Sequence, residues 1–286
     1  MRKSNGVITL VPTYGLCNRM RAIASAKALS ETIGSQLHVV WIQDSGLASR
    51  FCDLFEPIEP IKVTEYGQLT DSLTKLQTCV YRSSRFPIVK YVKQKLYHVI
   101  LENIGTDTLS DEKVVKDLCG KKVLVSSFAK FYSHPLLSFD FMRPSRILSK
   151  QIDEIAKEFN EYTVGVHVRR TDNKKSILNS PTERFFEKIE EKIRIQPNFN
   201  FFLATDCPDT EHRFVDKFGS RVISQKKKFN RSTTSGIQSA VIDLYLLSKT
   251  SEVIGSYHSS FSHTAADISG IPENTVRSQS MIASKM

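Results

Sequence analysis

Hydrophobic and polar positions along this chain fall into two alternating rhythms. The run "GVITLVPTYG" (6–15) is nearly all apolar, as a strand buried on both faces must be, and it closes on a glycine turn. "NRMRAIASAKALSETIG" (18–34) then switches to helical spacing, with Ala22, Ala26, Leu29 and Ile33 on one face and Gly34 as the stop. "QLHVVWI" (36–42) reads as a second strand, parallel to the first. From about 43 to 150 the signal thins. Prolines punctuate "FEPIEPIKV", "FPIVKYVKQKLYHVI" mixes the two periods, and "KKVLVSSF" (121–128) reads as a strand.

The second half is more regular. A helix over 147–162 leads into a strand at 162–168, and "SPTERFFEKIEEKI" (180–193) predicts a helix with Ser180 as N-cap, Pro181 first and Glu183 closing a capping box. Strands follow at 199–206, 221–224 and 252–256, and helices at 210–218, 235–250 and 259–270, the last ended by Gly270. Repeated strand and helix pairs imply an open parallel sheet with helices on both faces. The predicted fold is α/β, with two Rossmann-like domains, 1–150 and 151–286, facing across a cleft.

Composition removes several classes. A hydrophobic content of 40% and a charged content of 24% in 286 residues fit a globular chain and exclude a disordered or fibrous one. No apolar run approaches the ~18 residues of a membrane span, and "MRKSNGVITLVPTYG" has too short an apolar stretch for a signal peptide. Cys17, Cys52, Cys79, Cys119 and Cys207 are scattered and never form C-x-x-C, so neither a zinc site nor a disulfide framework is signalled. A soluble protein of a reducing, cytoplasmic compartment is expected.

The formal charge of +10 asks for a partner. The runs "NKK" (173–175) and "KKK" (226–228) are either solvated faces or attractors of a polyanion or an anionic membrane surface, a peripheral contact. Nucleic-acid binding would want aromatic residues among the basic ones, and only Phe229 flanks the lysine triplet, so no nucleic acid is expected as partner. The competing reading is a basic nucleic-acid-binding protein on a Rossmann framework without catalysis. Its mark is salt-dependent binding that survives loss of Arg169. "NRS" (230–232) matches a glycosylation sequon without a secretory signal, and the surrounding "NRSTTSG" reads as a loop.

In parallel sheets ligands collect beyond the carboxyl ends of the strands. Those ends here read "TYGLCNRMR", "HVRRTD", "LATD" and "GSYHSSF". Helix N-termini with serine hydroxyls, such as Ser259 and Ser260, suit a phosphate, and an arginine can hold one bidentately. If the strand continues, Arg169 and Arg170 point to opposite faces. One then serves the cleft, and the other is structural, with Asp172 as its partner. Asp243 is either a surface carboxylate or an acceptor for guanine N1–H and N2–H₂. His167 is a satisfied core histidine or a hydrogen-bond partner of the ligand, and Asp206 caps the next turn or lines the cleft.

"GLCNRMRAIASA", "VHVRRTD", "FFLATD" and "VIDLYLLSKTSEVIGSYHSSFSHTAADISG", in this order, resemble the GDP-fucose-dependent fucosyltransferases: the α1,6 enzymes, including the nodulation type, and the protein O-fucosyltransferases. The resemblance implies the GT-B arrangement, inversion at the anomeric carbon, no metal and no cofactor beyond the GDP-sugar donor, with a glycan or other hydroxyl acceptor. It implies an acceptor-side first domain and a nucleotide-sugar-binding second one. It places Arg169 on the diphosphate, with His167, Arg170 and Asp172 in the same H-x-R-R-x-D motif. Gly15 and Asn18 match the glycine-rich turn near the reacting centre. Asp243 binds guanine, and Ser259, Ser260 and Phe261 surround phosphates and base. The α1,6 enzymes carry a glutamate soon after R-R-x-D. Here "NKKSILNSPTE" has no acid before Glu183, which leaves Asp172 as the candidate base.

Overall fold

The computed structural model of the chain describes residues 6–82, 86–226, 230 and 232–278. It divides into two compact units, Met1–Ser145 with Arg231–Ile237, and Arg146–Asn230 with Gln238–Met286. The division falls before the helix that opens the second half rather than at 150.

In the first unit β1 (Val7–Pro12), α1 (Leu16–Thr32) and β2 (Gln36–Gln43) form the expected strand, helix, strand unit, and Gly34 ends the helix at a φ of 64°. β3 (Lys62–Gln68), α2 (Ser72–Gln77), a short 3₁₀ turn (Cys79–Tyr81), α3 (Pro87–Leu96), β4 (Val99–Ile104), α4 (Glu112–Lys116) and β5 (Lys122–Ser127) follow. The parallel sheet has the order β3-β2-β1-β5-β4. The mixed period of 86–100 has a simple cause: β4 begins three residues after α3 ends, so a helical and a strand pattern abut. The connection from β3 to β4 links the two edges of the sheet. Its Tyr81 and Tyr97 pack against the face formed by Val11, Val40, Ile42 and Leu124.

The second unit contains α5 (Arg146–Ala156), β6 (Val164–Val168), α6 (Lys174–Asn179), α7 (Thr182–Ile195), β7 (Phe201–Thr205), α8 (Pro208–Phe218), β8 (Val222–Ile223), all of α9 (Thr234–Ser248) beyond its opening turn, which belongs to the first unit, β9 (Val253–Ser256), α10 (Ser260–Ser269) and β10 (Glu273–Val276). All its strand pairs are parallel, in the order β10-β9-β6-β7-β8. β6 is central and buried along its whole length, which explains the unbroken apolar run "VGVHV". Val166, Phe185, Phe201 and Phe214 are fully enclosed in its core. Each such side chain contributes about 1.5–3 kcal/mol by leaving water.

Two glycines let helices press onto this sheet. A Cβ at Gly255 would stand 2.4 Å from Ser262 of α10, and one at Gly165 would stand 2.8 Å from Leu247 of α9.

The capping box does not form. Helix α7 starts at Thr182 with Pro181 as its cap and no side-chain cap bond. Ser180 is fully buried; its hydroxyl donates to Val276 O at 2.7 Å and accepts from Tyr257 N at 2.7 Å, so it ties β9 and β10 to the start of the helix instead. Glu183 pairs with Arg213. Lys174, Lys175 and Lys226 are exposed, whereas Lys227, Lys228 and Phe229 lie outside the described residues. Among the described residues no helix is long and apolar enough to cross a membrane.

Candidate functional site

In the second unit the strand order runs outward from β6 in both directions, so the crevice at the carboxyl ends of β6 and β9 is its topological switch point. The two ends are stitched together. Arg169 N donates to Ser256 Oγ at 3.0 Å, and Ser256 Oγ donates to His167 O at 3.2 Å. The buried His167 ring stacks on Phe261, centroids 4.8 Å apart, which joins β6 to the first turn of α10. That turn is capped by Ser259, whose hydroxyl accepts from Phe261 N at 3.4 Å, and its N–H groups carry the positive end of the helix dipole.

The β9–α10 turn passes through His258 at a φ of 55°, a left-handed conformation unusual for a side chain of this size. The loop after β6 holds it there. Asn173 Nδ2 donates to His258 O at 2.9 Å, and Ser176 Oγ donates to Tyr257 O at 2.7 Å.

The adjacent arginines differ sharply. Arg169 directs Nε and Nη2 to Asp172 Oδ1 at 2.9 and 2.6 Å, and that carboxylate is 52% exposed. Arg170 directs its guanidinium inward: Nη1 to Arg169 O at 2.9 Å, Nη2 to Ser180 O at 2.6 Å, and Nε and Nη2 to Thr182 Oγ1 at 3.1 and 3.0 Å. Burial lowers the Arg170 pKa against the opposing pull of Asp206 and Glu183. The structural arginine is therefore Arg170, but its partners are carbonyls and a threonine; Asp172 pairs with Arg169 instead. Asp206 accepts from Arg170 N at 2.7 Å and Thr171 Oγ1 at 2.7 Å, and so fixes the loop from the end of β7.

Asp243 is 6% exposed, which removes the surface-carboxylate reading. Gln225, just beyond β8, donates from Nε2 to Asp243 Oδ1 at 2.5 Å and to Ser239 O at 2.7 Å.

Gly15 and Asn18 belong to the first unit. Gly15 is the N-cap of α1, in extended conformation with no side-chain cap bond, and Asn18 Oδ1 accepts from Arg21 Nη2 at 2.8 Å. The preceding residue, Tyr14, has a φ of 63°. Its carbonyl accepts from Arg19 Nε at 2.7 Å. Arg19 also donates to Ile42 O at 2.7 Å and to Asp44 Oδ2 at 2.8 Å, and its guanidinium lies 4.8 Å from the Trp41 ring centre. It is fully buried, and that burial lowers its pKa while Asp44 raises it.

Sequence reasoning gathered His167, Arg169, Arg170, Asp172, Asp206, Ser259, Ser260 and Phe261 around the ends of β6, β7 and β9. Ser256, Asn173, Gln225 and Arg19 join the site and its frame without being expected there, and Ser180 joins it as a buried tie rather than as a helix cap. Ser256 alone carried a usable signal, as the last strand residue beside the end of β6. Among the described residues no three His, Cys, Asp or Glu side chains gather as a metal site requires.

No protein-family model matches the chain. No curated protein matches it either. Solved structures do. NodZ alpha-1,6-fucosyltransferase soaked with GDP-fucose is 19% identical with a TM-score of 0.59, covering 93% of each chain. POFUT1 in complex with GDP is 11% identical with a TM-score of 0.54, covering 96% of this chain and 99% of that one. A variant of Arabidopsis thaliana FUT1 in complex with GDP is 13% identical with a TM-score of 0.60, covering 94% of this chain and 69% of that one. At such identities the likeness is one of architecture: the chain has the two-domain, Rossmann-like GT-B fold shared by these fucosyltransferases.

Proposed function

We propose that the chain is an inverting, metal-independent glycosyltransferase of the cytoplasm that moves fucose from GDP-fucose to a hydroxyl of a glycan or similar acceptor. The observation that carries this reading is the switch-point crevice of the second unit, where Arg169, ion-paired to the exposed carboxylate of Asp172, follows the strand whose end is tied to the serine-capped start of α10. The fold shared with fucosyltransferases whose structures hold GDP or GDP-fucose supports it.

The chemistry follows from charge. As the bond from the anomeric carbon to phosphate breaks, negative charge grows on the leaving diphosphate while the sugar becomes oxocarbenium-like. Arg169 and the N–H groups of α10 at Ser260 and Phe261 receive that charge. Arg170, His167 and Asp206 keep this wall rigid, and Asp243, oriented by Gln225, accepts from guanine N1–H and N2–H₂. The acceptor oxygen attacks the face opposite the diphosphate, and its proton passes to a carboxylate. Asp172 takes that role once the diphosphate replaces it at Arg169. Glu183 is a weaker base, because its bond from Arg213 holds its carboxyl below the usual range.

Thermal unfolding with GDP, UDP and ADP tests the donor. At ~100 times Kd a ligand adds about 2.7 kcal/mol of stability, expected for GDP and not for UDP. Equal stabilisation by all three would defeat the guanine assignment. A donor screen that releases sugar from GDP-fucose then tests the transfer.

A further inference from the structure

The connection between β3 and β4 turns apolar side chains to water as well as to the sheet. Its inner side packs on the core of the first unit through Tyr81 and Tyr97. On its outer side Leu73 and Leu76 of α2 are 60% and 71% exposed, Phe86 is 71% exposed, and Ile88 and Tyr91 of α3 are 68% and 56% exposed. Ile88, Tyr91 and Lys95 are three and four residues apart, one face of α3, and Lys95 Nζ lies 5.4 Å from the Tyr91 ring centre. A set of large apolar side chains this exposed marks a surface that meets something else.

Charge says what that is. Residues 72–101 carry Lys75, Arg82, Arg85, Lys90, Lys93 and Lys95 and not one aspartate or glutamate. Lys93 is turned inward to Glu102 and the Arg82 carbonyl, whereas Lys75, Arg82, Lys90 and Lys95 are exposed among the apolar residues. Short amphipathic helices with leucine and aromatic residues on the outer face and lysines beside them settle at the boundary of an anionic bilayer.

We propose that the α2–α3 connection is a docking surface for an anionic lipid bilayer, with Leu73, Leu76, Phe86, Ile88 and Tyr91 entering the headgroup region and Lys75, Lys90 and Lys95 meeting lipid phosphates. A second copy of the chain fits poorly, because pairing this face with itself would set cations against cations. A nucleic acid would reward the tyrosine and the lysines but not the aliphatic residues. The inference is independent of the donor chemistry.

The test is co-sedimentation of the full chain with vesicles of phosphatidylcholine alone and of phosphatidylcholine with about 30% phosphatidylserine at ~0.1 M salt. Binding at least about 10-fold stronger to the anionic vesicles is expected. A Lys75→Gln/Lys90→Gln/Lys95→Gln variant should lose on the order of 100-fold in partitioning. A Leu76→Ser/Ile88→Ser/Tyr91→Ser variant should lose about 10-fold or more at the same salt, with its thermal midpoint unchanged. The proposal is overturned by equal sedimentation with both vesicle types, or by anionic binding that the serine variant retains in full. It is equally overturned if the serine variant abolishes only self-association, or if the wild type binds RNA through the lysines and ignores vesicles.

Discussion

The two units solve the same local problem differently. Each has a strand-to-helix turn with a non-glycine residue in the left-handed region, Tyr14 after β1 and His258 after β9, and in each a side chain holds that residue's carbonyl. The first unit does it from within the same helix, with the buried guanidinium of Arg19, which at once bonds Ile42 O and Asp44. The second does it from a distant loop, with Asn173, and leaves a guanidinium beside the turn facing an exposed aspartate. An arginine's role is therefore set by its partners. Buried carbonyls make it part of the frame, and a solvated carboxylate leaves it exchangeable for a ligand.

Substitutions can break this contrast, the strongest first. Arg19→Ala removes the side-chain bonds to Tyr14 O, Ile42 O and Asp44 Oδ2 and empties a fully buried site, and should cost about 3–5 kcal/mol in a urea unfolding experiment. A stable variant that lost only sugar transfer would move Arg19 from frame to site. Arg169→Ala should do the reverse: unfolding stays within about 0.5–1 kcal/mol of wild type, while transfer from GDP-fucose falls about 10²–10³-fold, ~2.7–4 kcal/mol of barrier. Full activity in that variant would remove the diphosphate role.

Asn173→Ala deletes the bond to His258 O and the cap on Ser176 N, and should lower stability by about 1–2 kcal/mol with a weaker response to GDP. An unchanged GDP response would detach the turn from donor binding. The smallest effect is one of pH. Burial, with Lys62 nearby, depresses the pKa of His38, which hydrogen-bonds Thr64 at 2.8 Å across β2 and β3. The unfolded chain takes up this proton near pH ~6.5 and the folded chain only lower. Between the two values the unfolded state binds more protons, so stability present above pH ~6.5 drains away as pH falls. His38→Asn should flatten that slope in a series of thermal melts, and an equal slope in the variant would assign it elsewhere.

The second half was legible because its strands and helices are separated by turns and each keeps one period. β6 and β9 declared themselves, and with them the residues at their carboxyl ends. The middle of the chain hid α3 and β4 because they abut, and the brief β10 offers only "ENTV", which has little of a strand's apolar signature. Ser180 misled for a physical reason: a serine before proline looks like a cap, yet here the hydroxyl is buried and bonded to Val276 and Tyr257. Gly165 and Gly255 matter only for what stands opposite them, and no local pattern shows a neighbour. The roles of Arg169 and Arg170 were separable only once their partners were visible, since both are guanidiniums at one strand end.

The assignment of Arg231–Ile237 to the first unit has a consequence for cutting the gene. A fragment ending at residue 145 encodes a unit that lacks part of itself, including Thr234, whose hydroxyl reaches the Ala48 carbonyl at 3.3 Å. The stretch 146–230 is in effect an insertion within the first unit. Expressed as consecutive pieces, 1–145 is left unfinished while 146–286 carries a segment that belongs to the other unit, and because α9 runs unbroken from Thr234 to Ser248, moving 231–237 back to the first piece would cut a helix of the second.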